Sequence, residues 1–220
     1  MRSAVSFIIV LGLLAPVSIA NAIPTGPCIH GELSSNSGVI LACPKGDGPS
    51  LASSGLTISV RILDGSGNGV PGILKKDIWL VGDGLVGCPI GSGGPILVAD
   101  APTDADGRTT ISGVPKAGGC SDGGLYVIVR VSDGVNYTNF VLGDQPGFEC
   151  NPLSLSIEVR SPDMNGDGVV DVSDFNQFSD IYQHGPYQEC ADFNGDGTIS
   201  LSDLAMFTSH YSQSNSHHCP

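Results

Sequence analysis

Asp163-Met164-Asn165-Gly166-Asp167-Gly168-Val169-Val170-Asp171-Val172-Ser173-Asp174 is one pattern. Asp192-Phe193-Asn194-Gly195-Asp196-Gly197-Thr198-Ile199-Ser200-Leu201-Ser202-Asp203 is the same pattern again, 29 positions later. The match continues past the twelfth position. Phe175, Phe178 and Tyr182 align with Leu204, Phe207 and Tyr211, and Cys190 aligns with Cys219. A single turn rich in Asp, Asn and Gly arises by chance. Two in register, with aligned aromatics and cysteines behind them, form a duplicated loop-plus-helix unit.

The chemistry follows from the spacing. Oxygen-bearing side chains at positions one, three, five, nine and twelve converge on a common centre, and Gly168 and Gly197 at position six permit the sharp bend. That donor set suits Ca²⁺, a hard cation that takes six to eight oxygens. The candidate ligands of the first loop are Asp163, Asn165, Asp167, Asp171 and Asp174, with the Val169 carbonyl at position seven. Those of the second are Asp192, Asn194, Asp196, Ser200 and Asp203, with the Thr198 carbonyl. Two Ca²⁺ sites are expected, and the first, with four carboxylates against three, is expected to bind more tightly. Val170 and Ile199 are expected to point inward and pair the two loops through a short β-bridge. Asp171-x-x-Asp174 and Ser200-x-x-Asp203 also read as helix-capping boxes. The aromatics at i, i+3 and i+7 predict two helices packed on each other, the first stopped by Gly185-Pro186.

Charge sharpens the picture. The 220-residue chain carries a net charge of −13. Nine acids and no Lys or Arg follow Arg160, so most of the excess lies in the loop-bearing segment. An acidic surface disfavours nucleic acid and anionic membranes as partners. Bound divalent cations relieve the repulsion within that segment.

The rest of the chain reads as β-structure. Residues 1–22 have an early charge at Arg2, a short apolar run and an Ala-Asn-Ala end at Ala22, the pattern of a secretory signal peptide too short to span a membrane. Seven cysteines fit an exported, oxidised chain. Residues 23–55 are expected to be a polar lead-in closed by Cys28 and Cys43. From 56 to 160, short alternating runs separated by Gly, Pro, Asp and Asn predict strands at 56–63, 78–81, 95–99, 108–112, 125–131, 137–142 and 153–159. Seven to eight short strands predict a β-sandwich. Arg160-Ser161-Pro162 is expected to be a linker, and residues 161–220 the calcium module. Cysteine connectivity is not fixed by sequence. The favoured pairings are Cys190–Cys219 and Cys88–Cys120.

Two family resemblances enter here. Val60-Arg-Ile-Leu-Asp64-Gly-Ser-Gly67-Asn-Gly69-Val-Pro-Gly72 and Thr103-Asp-Ala-Asp-Gly107 resemble the turns of bacterial Ig-like repeats of the invasin and intimin type. That implies an Ig-like β-sandwich in a spacer, adhesive or carrier role. The two calcium loops, each followed by a helix and neither preceded by room for one, resemble a dockerin rather than a paired EF-hand sensor. That resemblance implies calcium-dependent folding, secretion and attachment to a cohesin domain on a scaffold protein. The positions that face the cohesin in that family are Val172-Ser173 and Leu201-Ser202 here.

Nothing in the sequence forms a catalytic constellation. Motifs for serine hydrolysis, zinc proteolysis and phosphate binding are missing, and Glu32, Glu149, Glu158 and Glu189 are the four glutamates. His217-His218-Cys219 reads as a polar tail. The expectation is a non-catalytic, secreted calcium-binding modular protein. The alternative is an accessory carbohydrate-binding or glycoside-hydrolysing component of a polysaccharide catabolic system. In that reading a glycan would meet Trp79, Tyr126, Tyr137, Phe140 or Phe148.

Overall fold

The computed structural model describes residues 28–82, 84–87, 95–120, 124–132, 134–145 and 150–212. The expected signal peptide, Cys88, Phe148, Glu149 and the His217-His218-Cys219 tail lie outside these residues. The chain is mainly β-sheet, closed by two short helices. Its strands are β1 (Cys28–Ser34), β2 (Gly38–Leu41), β3 (Ile58–Ile62), β4 (Ile78–Gly82), β5 (Leu85–Val86) and β6 (Leu97–Val98). They continue with β7 (Arg108–Ile111), β8 (Gly118–Gly119), β9 (Leu125–Ser132), β10 (Tyr137–Gly143), β11 (Ser154–Leu155) and β12 (Ile157–Arg160). The helices are α1 (Val172–His184) and α2 (Leu201–Ser209).

Strand periodicity explains the layers. Ile58, Val60 and Ile62 of β3 are buried, as are Leu125, Val127, Val129 and Val131 of β9, while the residues between them are more exposed. Alternation with one apolar face makes a half-buried strand. The order is β6-β4-β9-β10-β1-β3-β7, with β11 on β9. β1 joins two pairings in succession. Cys28–His30 run parallel to β10, and Gly31–Ser34 run antiparallel to β3. A strand that changes partner this way links the two layers of a sandwich. The crossing point is Gly31, where a Cβ would collide with Leu142 and the Arg61 carbonyl.

The sandwich begins earlier than the sequence suggests. β1 and β2 are not a disulfide-closed hairpin ahead of it. β1 sits between β10 and β3, and β2 pairs in parallel with β12. Ile29, Ile40 and Leu51 are core residues alongside Ile58 and Val129. Cys28 is bonded to Cys150, which anchors the start of β1, so it does not pair with Cys43. The expected strand over 153–159 is two strands with different partners, β11 on β9 and β12 on β2.

The expected linker is not a linker either. Arg160 and Ser161 are buried, and the Ser161 hydroxyl donates to the Ala117 carbonyl at 3.0 Å. A second apolar cluster crosses the boundary. Leu41 and Cys43, at the end of β2, pack with Val170, Phe178, Ala191, Phe193 and Phe207 of the loop-and-helix segment. Cys190 is bonded to Cys120, close to β8, and not to Cys219. Cys120 is therefore not paired with Cys88. One disulfide and one shared core thus fasten the C-terminal segment onto the sandwich.

Candidate metal centre

Each loop is folded by its own side chains. Asp163 and Asp192, at position one, are fully buried and turn their carboxylates toward backbone N–H groups. Asp163 Oδ2 accepts from Gly168 N at 2.9 Å and Oδ1 from Asp167 N at 3.1 Å. Asp192 Oδ2 accepts from Gly197 N at 2.9 Å and Oδ1 from Asp196 N at 3.2 Å. Asp174 and Asp203, at position twelve, are also fully buried. Each reaches across its loop to positions three and nine. Asp174 accepts from Asn165 N at 3.1 Å and Asp171 N at 2.9 Å, and Asp203 from Asn194 N at 3.3 Å and Ser200 N at 2.9 Å. Gly168 and Gly197 take φ values of 91° and 84°, a region that glycine enters without steric cost.

The side chains at positions three and five stay at the surface. Asn165 and Asp167 are linked at 3.0 Å, and Asn194 and Asp196 at 2.9 Å. Asp171 and Ser200, at position nine, are half-buried and start the helices. Both capping boxes expected from sequence are formed. Val169 is half-buried and Thr198 exposed at position seven. All twelve candidate residues therefore lie around two loops of matching design. The donors are oxygens throughout, which suits a hard cation.

Electrostatics separates the loops. In the first, burial and the neighbouring Asp174 and Asp167 carboxylates push Asp163 up to about 6, against two backbone hydrogen bonds. A cation placed there would relieve that crowding. In the second loop burial again disfavours the charge of Asp192, but hydrogen bonds and a guanidinium overcome it and hold its carboxyl below the ordinary range. The Tyr187 hydroxyl donates to Asp192 Oδ2 at 2.8 Å, and Arg160 Nη1 lies 3.4 Å from the same oxygen. Arg160 also bonds the Asp192 carbonyl and pairs with Glu158. Sequence inspection missed this role, because Arg160 stood in what looked like a linker.

Neither loop is entered by a helix. β12 and Ser161-Pro162 precede the first, and a single 3-10 turn, Glu189–Ala191, precedes the second. The loops are instead seated on the sandwich. A Cβ on Gly166 would come within 2.8 Å of Val86 Cγ2, and one on Gly195 within 2.7 Å of Val39 Cγ2. Gly119 N donates to the Asp163 carbonyl at 2.7 Å. A Cβ on Gly118 would collide with the Asp163 carboxylate. Gly118→Ala is thus expected to displace the first loop and cost about 1–3 kcal/mol, the usual penalty of overpacking. Gly65→Ala, at a turn with open space around it, is the control. Equal thermal shifts for the two variants would contradict this seating.

The expected β-bridge between the loops is not formed. Val170 is buried as foreseen, but its carbonyl accepts from Ser212 N, beyond α2, at 2.8 Å. No residue of the second loop lies in a bridge. The helices do meet through Phe178 and Phe207, with ring centroids 5.8 Å apart. Phe193, which sequence reading passed over, stacks on Phe178 at 5.7 Å. Its signal was available: position two is apolar in both copies, and Met164 packs against the same cluster.

The EF-hand family model matches residues 163–179 and 189–208. The C-terminal segment therefore carries two EF-hand calcium-binding repeats. No curated protein and no solved structure matches the chain.

Proposed function

We propose that the chain is a secreted, non-catalytic, calcium-binding attachment protein. In this reading a dockerin-like pair of loops is carried on an Ig-like spacer, and a cohesin-type scaffold or another extracellular protein is the partner. The observation that carries it is the pair of matched loops without entering helices, each with its first and last acid fully buried. Loops fixed against a sandwich do not open and close as a sensor does. Two disulfides suit an oxidising compartment, and no helix among the described residues is long and apolar enough to cross a membrane. Val172, Phe175 and Tyr182 of α1, Leu201 of α2 and Tyr211 just beyond α2 are exposed, as an attachment surface requires.

Bound Ca²⁺ supplies positive charge that neutralises the buried acids. The chain's own part is to hold those acids in place through the loop N–H groups. The first loop binds more tightly in this reading, because it has four carboxylates and no guanidinium among them. Titration calorimetry of the full chain is expected to show two unequal sites. Asp174→Asn should weaken the tighter one by roughly a hundredfold, given how steeply ligand charge tunes affinity. Two equal sites, or a tight site that survives Asp174→Asn, would overturn the ranking. Calcium-dependent capture of a secreted partner tests attachment itself.

The alternative, an accessory component acting on polysaccharide, draws on Tyr137, which is 70 % exposed beside Arg130, while Trp79 beneath Arg130 is buried. Phe140 is buried and Tyr126 half-buried, so few rings are left for a sugar. Turnover of a glycan by the full chain would favour this reading over the first.

A further inference from the structure

We propose that Cys43, Asp47 and His210 form a third cation site, for a borderline-soft divalent ion such as Zn²⁺, that clips the end of β2 to the end of α2. One ligand atom from each of the three residues lies within 4.8 Å of the other two. Sulfur, nitrogen and one carboxylate oxygen are the donors that Zn²⁺ takes, whereas Ca²⁺ takes oxygens alone. The site is thus chemically distinct from both loops.

Two further observations support it. Among the described residues Cys43 is the free thiol, the other four cysteines being in disulfides. It is fully buried against the second apolar cluster, which fixes its position. His210 Nδ1 lies 2.9 Å from the Met206 carbonyl. A carbonyl only accepts, so Nδ1 carries the proton and Nε2 keeps its lone pair. Metal-binding histidines are commonly oriented this way, one ring N–H held by a carbonyl while the other nitrogen faces the ion. The Ser209 hydroxyl, 2.9 Å from Nδ1, steadies the ring further.

Little movement closes the site. Ligand atoms around tetrahedral Zn²⁺ stand roughly 3–4 Å apart, from bond lengths of about 2.0–2.3 Å. The Asp47 carboxylate, exposed and 3.8 Å from Lys45 Nζ, already stands within 4.8 Å of the other two donors. Burial, with Asp47 nearby, pushes the Cys43 thiol up to about 12, so it is neutral before an ion arrives. Binding forms a metal–thiolate bond and releases the thiol proton to solvent. Three protein ligands leave the fourth position to water.

Co²⁺ is the probe, added to the full chain with disulfides intact and Ca²⁺ saturating. The expected result is a thiolate-to-cobalt charge-transfer band that saturates at one equivalent and disappears on adding Zn²⁺. Cys43→Ser should abolish the band. His210→Gln, at a half-buried position, should weaken Co²⁺ binding at least tenfold even if Cys43→Ser fails to fold. The double variant His217→Ala, His218→Ala should leave the band unchanged. A folded wild-type chain without the band would overturn the proposal. So would a band that survives Cys43→Ser or one lost with the two tail histidines.

Discussion

Phe178→Ala is expected to cost about 3–5 kcal/mol, the usual range for truncating a buried phenylalanine. The resulting loss should fall on the calcium module first. Phe178 is 1 % exposed and lies within stacking distance of Phe193, Phe207 and Tyr182. Those rings come from the second loop, α2 and α1. Removing the central ring therefore loosens three elements at once. Phe175, one turn earlier, is 38 % exposed and touches only Phe207 among the rings. Phe175→Ala should cost under half as much. Urea unfolding followed by helical circular dichroism, at saturating Ca²⁺, measures both. Equal costs would show that the module is not built around Phe178.

The second large effect concerns the Cys120–Cys190 bond. It joins residues 70 apart, one on the sandwich and one just before the second loop. On the chain-entropy model, a closed loop of that length contributes about 4 kcal/mol. The Cys120→Ser, Cys190→Ser variant should lose about that much. The loss should also expose a new dependence. With the bond, the sandwich restrains the module even when Ca²⁺ is removed. Without it, Ca²⁺ carries more of the module's stability, since a ligand that binds only the folded form stabilises it by mass action. Chelator should then melt the helices of the variant at a temperature where the parent keeps them. A variant whose chelator response matches the parent's would refute this.

The parts of the molecule legible in sequence were those specified locally. The loop donors, the capping boxes at Asp171 and Ser200, the stop at Gly185 and the alternation of β3 and β9 all depend on residues a few positions apart. What escaped was specified at long range. β1 carries the sequence Cys-Ile-His-Gly-Glu-Leu-Ser, whose central Gly31 breaks the alternating pattern because two backbones approach there. Cysteine partners 122 and 70 residues apart leave no local trace. Arg160 looked like the end of a strand before a linker. Its buried guanidinium instead bridges Glu158 and Asp192, an arrangement only the folded chain reveals. Ser161-Pro162 has the composition of a connector, yet it lies under the Ala117 carbonyl and the seat of the first loop.

The partner-changing first strand also sets an order of events. β1 is completed near residue 34, but its parallel partner β10 begins at Tyr137, and β2 waits for β12 at Ile157. While the chain emerges from its N-terminus, β1 finds β3 early but lacks β10 until about 143 residues have appeared, and β2 lacks β12 until about 160 have. Parallel pairings across such separations are slow to form and leave strand edges open in the meantime. Closure of the sandwich therefore comes late. The surface that receives the calcium loops is complete only when the chain that carries those loops is next to arrive.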